Sequence, residues 1–312
     1  MRAIVDQAAD LWQFDTARIT LAAQRENAVW RVESDGGIFA MRLHRVGYRT
    51  TAELCSELAW MAALQHGGMA VSRPIRSRSG RLVEGVDGVA VDVLTWLPGR
   101  MAGKHGALDG IADRAGYLHQ LGQVLAQLHA LSDQWTPPEG FSRPHWNRAG
   151  LLGDTPLWGP FWENPDLSDS DRQLLLAVRC KASTQLAESE GRLDFGLIHA
   201  DAITENVLVD PAGLSLIDFD DGGWGFRDFD LATVLLRQLS ASDYPQLRAA
   251  LVAGYATRRA VDAQTLELFI LLRSLTYLGW IIPRRSEPGG AARSARALAT
   301  ALPLARAFMR EC

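Results

Sequence analysis

Two apolar runs in the second half of the chain are each followed by polar side chains at a fixed spacing. The run that ends at Ile198 leads into a loop that carries Asp201 and, five residues later, Asn206. A further apolar run is followed at once by Asp218. Short apolar runs bounded by turn-forming residues predict consecutive strands, so two carboxylates and one amide are expected at strand ends.

These three side chains suit phosphoryl transfer. Catalysis of that reaction consists mostly of positioning the acceptor hydroxyl and neutralising phosphate charge with magnesium. Mg²⁺ takes oxygen ligands from one or two protein side chains, and Asn206 and Asp218 offer such oxygens. Asp201 stands apart from them and is the candidate to orient the acceptor and take its proton. Each residue alone would be an ordinary turn residue, but the joint pattern favours a catalytic role.

The chain resembles the aminoglycoside phosphotransferase and choline kinase family, and the resemblance extends over most of its 312 residues. The segment His199-x-Asp201-x-x-x-x-Asn206 is similar to the catalytic-loop motif of that family, and Ile217-Asp218 is similar to its metal-binding strand end. Asp230-Leu231-Ala232 resembles the family's motif at the head of the helix after the metal loop. The resemblance implies a protein-kinase-like fold that uses ATP and Mg²⁺.

The resemblance also bears on two further residues of the catalytic loop. His199 is expected to hold the loop and not to act as a base. Ala200 stands where the family usually has glycine, and its methyl group is tolerable if the backbone dihedrals there are ordinary.

The order of predicted elements indicates an α+β, two-lobe architecture. Residues 1–96 form a nucleotide-binding N-lobe, an antiparallel sheet with one main helix over Thr51 to His66. Its strands are predicted over Arg18 to Ala23, Ala28 to Glu33, Gly37 to Leu43 and, in two pieces, Gly85 to Trp96. Residues 97–312 form a mainly helical C-lobe with the catalytic loop, the metal site and the acceptor site. Ser132 to Ser168 is predicted as a long ordered loop.

In the nucleotide site, Arg42 takes the place of the usual third-strand lysine. The strand alternates so that Arg42 and His44 share a face, and Arg42 is the candidate to contact the phosphates. Glu57, preferred over Glu53 one turn earlier, is predicted to brace it. Alternatively, Arg42 is an exposed strand residue without a role, and Glu53 and Glu57 are helix-surface residues without a role.

Two further segments are candidates for nucleotide contacts. The turn Gln24 to Asn27 occupies the position of the glycine-rich phosphate loop without a glycine, and Asn27 is its candidate residue. Thr95 to Leu97 is predicted as the interlobe hinge, where backbone groups of Thr95 and Leu97 would bind adenine.

The acceptor is expected to approach Asp201 among acidic and aromatic side chains. Asp220, Asp221 and Trp224 form this lining, which suits an acceptor carrying an amine. As alternatives, Asp220 or Asp221 binds the metal, and Asp228 caps a helix instead of joining the acceptor site.

Composition excludes several other classes of protein. A net charge of −4 and a pI near 6.0 argue against nucleic acid or an anionic membrane as partner. The three cysteines are far apart, so a zinc site or a disulfide framework is not expected. Asp6 interrupts the start of the chain where a signal peptide would stay apolar, and a cytoplasmic location is expected.

The leading hypothesis is therefore an ATP-dependent kinase of a small hydroxyl compound, with homoserine kinase-like and aminoglycoside kinase-like chemistry both open. A protein Ser/Thr kinase of the bacterial stress-response type is an alternative. A nucleotide-binding pseudokinase is another, favoured by Arg42 and by the glycine-free loop. A magnesium-dependent hydrolase is the weakest reading.

Overall fold

A computed structural model describes residues 1–14, 18–24, 27–104, 106–189 and 191–310. The chain divides into two compact units that alternate along the sequence. The first unit comprises Met1–Met101, Leu131–Arg143 and Asn206–Asp220, and the second comprises Ala102–Ala130, Pro144–Glu205 and Asp221–Cys312. The lobe boundary at residue 96 stays a prediction.

Helices and strands have the following bounds. The α-helices are α1 (Arg2–Leu11), α2 (Thr51–His66), α3 (Arg114–Gln134), α4 (Arg148–Leu152), α5 (Asp169–Ser189), α6 (Asp228–Leu236), α7 (Tyr244–Ala256), α8 (Ala263–Trp280) and α9 (Gly290–Arg310). The strands are β1 (Arg18–Gln24), β2 (Ala28–Ser34), β3 (Gly37–Leu43), β4 (Pro74–Ile75), β5 (Val83–Val86), β6 (Val89–Thr95), β7 (Arg100–Met101), β8 (Gly103–Lys104), β9 (Ala107–Leu108), β10 (His145–Trp146), β11 (Phe195–Ile198), β12 (Val207–Asp210), β13 (Gly213–Leu216) and β14 (Gly223–Phe226).

The first unit is built on an antiparallel sheet with strand order β1-β2-β3-β6-β4, and β5 also pairs with β6. Its apolar core includes Val32, Met41, Val91 and Val93, and α1 adds side chains such as Val5. Because side chains alternate along a strand, Met41 enters this core while Arg42 is directed to the other face. The predicted antiparallel sheet and α+β class are confirmed.

Helix α2 is the main helix of this unit, as predicted. Thr50 caps it: its side chain accepts a hydrogen bond from the Glu53 N–H, and the Glu53 carboxylate accepts one from the Thr50 N–H. This reciprocal capping box satisfies two amides that a helix start leaves unpaired. Leu54, Leu58 and Met61 are buried along one face, as the periodicity predicted.

The second unit contains a small sheet of order β10-β14-β11 and most of the helices. Helix α8 is buried along most of its length. Across the described ranges, no helix is both long and apolar enough to cross a membrane.

The predicted loop over Ser132 to Ser168 is wrong in part. The segment contains β10, α4 and a 3₁₀ turn at Phe161–Glu163. Asn147 caps α4 by accepting from Gly150 N–H, and Trp146 is buried against Phe229 with ring centroids 5.2 Å apart. Elements this short show no measurable hydrophobic period, so the sequence pattern could not reveal them.

Candidate active site

The loop that carries Asp201 is held by a carboxylate of α6. Asp230 accepts hydrogen bonds from the backbone N–H groups of His199 (2.8 Å) and Ala200 (2.7 Å). His129 contacts the same carboxylate at 3.0 Å, and both side chains are fully buried. Asp230, expected only to mark the helix head, therefore fixes the backbone just before the predicted catalytic residue.

Ala200 does not have ordinary backbone dihedrals. Its φ is +64°, in the left-handed region that favours glycine. The condition under which alanine would be free of strain at this position is not met, and the hydrogen bond from its N–H to Asp230 helps to hold the conformation.

Asp201 forms an ion pair with a residue that the sequence reading did not assign. Arg273 Nη2 lies 2.6 Å from Asp201 Oδ1, and the Arg273 side chain has no solvent exposure. Its guanidinium lies 4.4 Å from the ring centroid of Trp158 and 4.6 Å from that of Tyr277. Because a buried guanidinium needs a counter-charge, this contact gives Arg273 its counter-charge and holds the Asp201 carboxylate in one orientation.

The two predicted metal ligands are brought together by the β12–β13 hairpin. Its antiparallel register pairs Val207 with Leu216, and the Ile217 N–H donates to the Asn206 carbonyl oxygen over 3.0 Å. Asn206 and Asp218 therefore emerge at the same end of the hairpin. Both belong to the first unit, whereas Asp201 belongs to the second.

The segment after Asp218 is held by Arg143. Asp218 has a φ of +65°, which a non-glycine residue rarely adopts. Arg143 Nη2 donates to the carbonyl oxygens of the next two residues, Phe219 (2.8 Å) and Asp220 (2.6 Å). The Arg143 side chain is fully buried and its Nη1 lies 3.5 Å from Glu57. One guanidinium thus ties the Asp218 loop to α2.

Arg42 lies in a buried cluster of charges on the first unit's sheet. Its Nη1 donates to Glu57 over 2.8 Å, so the predicted contact with Glu57 is present. Its Nε and Nη2 also donate to both carboxylate oxygens of Asp92, over 2.8 and 2.7 Å. His44 Nε2 lies 2.7 Å from the same carboxylate. Arg42 is therefore buried, and the alternative that it is an exposed strand residue without a role is wrong.

In this cluster, burial and the neighbouring positive charges shift the pKa values of the carboxylates in opposite directions. Burial alone would raise the pKa of Asp92, but Arg42 and His44 hold it well below its usual value. Burial likewise raises the pKa of Glu57, and Arg42 and Arg143 reverse this so that it is lowered. Both carboxylates are thus ionised at neutral pH, and Arg42 carries its charge between them.

Comparison with known proteins decides the family. The model of the phosphotransferase enzyme family matches residues 18–264, which is most of the chain. The chain belongs to this family.

Relatives of known sequence agree. A protein of Deinococcus radiodurans without an assigned function is 30% identical over 87% of this chain and 79% of its own length. A homoserine kinase of Methylobacterium radiotolerans is 27% identical over 76% of this chain and 70% of its own.

Solved structures show the same fold. A microcompartment-associated aminopropanol kinase has a TM-score of 0.85 and 29% identity, covering 99% of this chain and 98% of its own. Amicoumacin kinase hAmiN, determined with AMP-PNP, Ca²⁺ and Ami, has a TM-score of 0.76 and 20% identity, covering 97% and 93%. This phosphotransferase is therefore a kinase whose acceptor is a small molecule with a hydroxyl group, and the protein kinase alternative is set aside.

The other predicted nucleotide residues of this phosphotransferase have the following places. Asn27 Oδ1 accepts from the Arg45 N–H at 3.2 Å, and Arg25 and Glu26 lie outside the described residues. The Thr95 N–H donates to the Arg73 carbonyl oxygen, and the next amide also has a protein acceptor. Within the described ranges the Leu97 N–H has no acceptor, so the predicted adenine contact rests on Leu97 and not on the Thr95 amide.

The predicted acceptor residues are divided between the two units. Asp220 belongs to the first, where Arg49 Nη2 and Arg143 bind its carbonyl oxygen and burial and Glu57 raise its pKa. Asp221 and Trp224 belong to the second. The pairing of Leu197 with Trp224 places them beside the end of β11 that leads to Asp201.

Asp228 lies at the far end of β11 from Asp201. Phe195, at the start of β11, pairs with Phe226 of β14, and the Arg227 N–H donates to the Asp194 carbonyl oxygen. Burial, together with the nearby carboxylate of Asp194, raises the pKa of Asp228 to about 7. Asp228 therefore does not lie beside the base. It is the first residue of α6, and Arg227, not Asp228, occupies the N-cap position, so the expected capping role is wrong.

Three residues of the candidate site were missed by sequence reasoning. Asp92 and Arg273 interrupt apolar runs, and a charge in such a run signals a buried partner without identifying it. Arg143 lies in a stretch without a period and gives no such signal.

Proposed function

We propose that this phosphotransferase moves the γ-phosphoryl group of ATP to the hydroxyl group of a small acceptor, with Mg²⁺ as the metal. The observation that carries the proposal is the β12–β13 hairpin, which brings Asn206 and Asp218 to one end directly after the loop of Asp201. A carboxylate and an amide at such a position are the side-chain ligands that magnesium takes in kinases.

Asp201 is the proposed base. Its carboxylate orients the acceptor hydroxyl and takes its proton, and Arg273 fixes the orientation of that carboxylate by the 2.6 Å contact. Asp230 supports this arrangement because it fixes the amides of His199 and Ala200.

Asn206 and Asp218 fit a magnesium site by the chemistry of their oxygens. Bound there, Mg²⁺ would neutralise charge on the transferred phosphoryl group. Arg143 holds the carbonyl oxygens of Phe219 and Asp220 and so fixes where the Asp218 carboxylate stands.

Arg42 is proposed to act on the nucleotide phosphates from the charge cluster. Three of its donor groups are used by Asp92 and Glu57. A guanidinium has five N–H donors, so it retains two after making these bonds. Leu97 and Asn27 are the proposed contacts at the hinge and at the phosphate turn.

The test measures ADP formation from ATP with amino alcohols, hydroxy amino acids and aminoglycosides, each with Mg²⁺ and with a chelator. We expect acceptor-dependent and Mg²⁺-dependent turnover that Asp201→Asn abolishes. ADP formation at the same rate with and without every acceptor would favour the hydrolase reading instead.

A further inference from the structure

Two arginines of the second unit share the ring of Tyr277. The guanidinium carbons of Arg237 and Arg273 each lie 4.6 Å from its centroid, and both residues donate to Tyr277 Oη, over 2.7 and 2.9 Å. Asp201 pairs with Arg273. Two cations this close repel each other in a partly dry environment unless each has a counter-charge.

Arg237 has no such counter-charge from the protein. In the parts of the chain that the structure describes, no carboxylate lies within ion-pair distance of it, and its Nε is buried without a hydrogen-bond partner. The Arg237 side chain is half-buried, so water compensates its charge only in part. An anion supplied by a ligand would complete the balance.

Arg237 is also close to the proposed base. Hydrogen bonds of 2.7, 2.9 and 2.6 Å lead from Arg237 through Tyr277 and Arg273 to Asp201 Oδ1. Two side chains, those of Tyr277 and Arg273, therefore connect Arg237 to the carboxylate of the proposed base.

The loop after Asp201 reaches Arg237 as well. A cavity of about 10 Å³ has walls formed by Ala202, Ile203, Thr204, Tyr117, Arg237 and Gln238, among other residues. A cavity of this size has room for about one water molecule and not for an acceptor. An anionic group must therefore meet Arg237 on its exposed side.

We propose that Arg237 binds a carboxylate of the acceptor, so that the substrates of this phosphotransferase are small hydroxy acids, including hydroxy amino acids. This inference rests on the proposed function, because it takes Asp201 as the base that receives the acceptor hydroxyl. The acidic and aromatic lining predicted an acceptor with an amine. An amino acid acceptor would carry both groups, with its amine beside Asp221 and its carboxylate at Arg237.

Three matched probes separate the groups. Homoserine carries a hydroxyl, an amine and a carboxylate; 4-hydroxybutyrate lacks the amine, and 3-amino-1-propanol lacks the carboxylate. We expect kcat/KM for the two carboxylates to exceed that for 3-amino-1-propanol. Calorimetric binding of the three probes in the presence of AMP-PNP gives the same comparison without turnover.

The Arg237→Gln variant tests the contact itself. Loss of one charge-assisted hydrogen bond should lower kcat/KM for homoserine and 4-hydroxybutyrate by about tenfold to a hundredfold. The same variant should change kcat/KM for 3-amino-1-propanol and KM for ATP by less than about twofold. Arg237→Lys should recover part of the loss, and Arg296→Gln, at an exposed position of α9, is the control.

Several outcomes would overturn the inference. Equal binding of 3-amino-1-propanol and homoserine to the wild-type enzyme would show that no carboxylate is recognised. A raised KM for ATP in Arg237→Gln with every acceptor would assign Arg237 to the nucleotide phosphates. An equal fall in kcat for all acceptors would assign it a structural role. If 3-amino-1-propanol is phosphorylated best, the inference fails while the proposed function stands; if Asp201→Asn retains turnover, the proposed function itself fails.

Discussion

Arg42 donates two hydrogen bonds to Asp92, from Nε over 2.8 Å and from Nη2 over 2.7 Å, between adjacent strands of the first unit's sheet. The Asp92 carboxylate thus accepts from the planar pair of donors Nε and Nη2, and Glu57 accepts a further hydrogen bond from Nη1. A lysine has one compact ammonium group and could not reproduce this arrangement, so the arginine is here a requirement of the cluster.

The first prediction follows from this arrangement. Arg42→Lys should raise KM for ATP and lower kcat together, because at least one of three hydrogen bonds to a charged partner is lost, each worth about 1.5–3 kcal/mol. Steady-state kinetics and urea unfolding measure the two effects, with Arg78→Lys, an exposed position, as control. If the variant keeps most of the wild-type activity and stability, a point charge is sufficient.

The second prediction concerns the proposed base. Asp201→Ala should reduce kcat by roughly a hundredfold to ten-thousandfold with nucleotide affinity nearly intact. It should also lower the free energy of unfolding, because Arg273 would be left buried without its carboxylate, a change that typically costs about 3–5 kcal/mol. Asp154→Ala is the control, since its side chain is 97% exposed. Turnover within about twofold of wild type would exclude Asp201 as the base.

The third prediction concerns the metal ligands. Asp218→Ala should abolish the Mg²⁺-dependent part of nucleotide binding, and Asn206→Ala should weaken it less, because a carboxylate neutralises more metal charge than an amide. Calorimetric titration with and without Mg²⁺ measures this difference. Asp210→Ala, at the opposite end of the same hairpin, is the matched control. Unchanged affinity in Asp218→Ala at saturating metal would remove Asp218 from the site.

The fourth prediction concerns Arg143. Arg143→Gln removes the charged donor from the carbonyl oxygens of Phe219 and Asp220, so the loop of Asp218 should lose its fixed position. We expect the Mg²⁺ concentration for half-maximal activity to rise by about tenfold or more, the effect of one hydrogen bond to a charged group. Arg143→Lys should recover part of it. A fall in thermal stability with an unaltered Mg²⁺ requirement would reduce Arg143 to a purely structural role.

The fifth prediction concerns pH. Burial, with Arg227 acting in the same direction, lowers the pKa of His129 to about 4, although Asp230 opposes the shift. Between about pH 6.5 and 4 the unfolded chain binds more protons than the folded one, so the free energy of unfolding falls as the pH falls. His129 alone should account for about 3 kcal/mol over this window.

Urea unfolding at pH 7 and at pH 4.5 measures this dependence. His129→Gln has no titrating ring, so its free energy of unfolding should change less between the two pH values. His66→Gln, at the exposed end of α2, should behave as wild type. Equal pH dependence in His129→Gln and wild type would contradict the prediction.

The sequence was informative wherever a short-range rule applied. Strand alternation predicted that Arg42 and His44 share a face, and helix spacing predicted that Leu54, Leu58 and Met61 are buried together on α2. The same rules failed between Ser132 and Ser168, where tertiary packing of Trp146 stabilises a two-residue strand and a short helix.

By itself, the sequence determined the α+β class, the resemblance that proved to be the family, and the candidate ligands Asn206 and Asp218, because spacing along one loop and one hairpin is a local property. Only the tertiary structure decided what surrounds these residues. Arg273 is 72 positions from Asp201, and Asp92 is 50 positions from Arg42. Such partners are selected by the need of a buried charge for a counter-charge, and no local pattern records which distant residue supplies it.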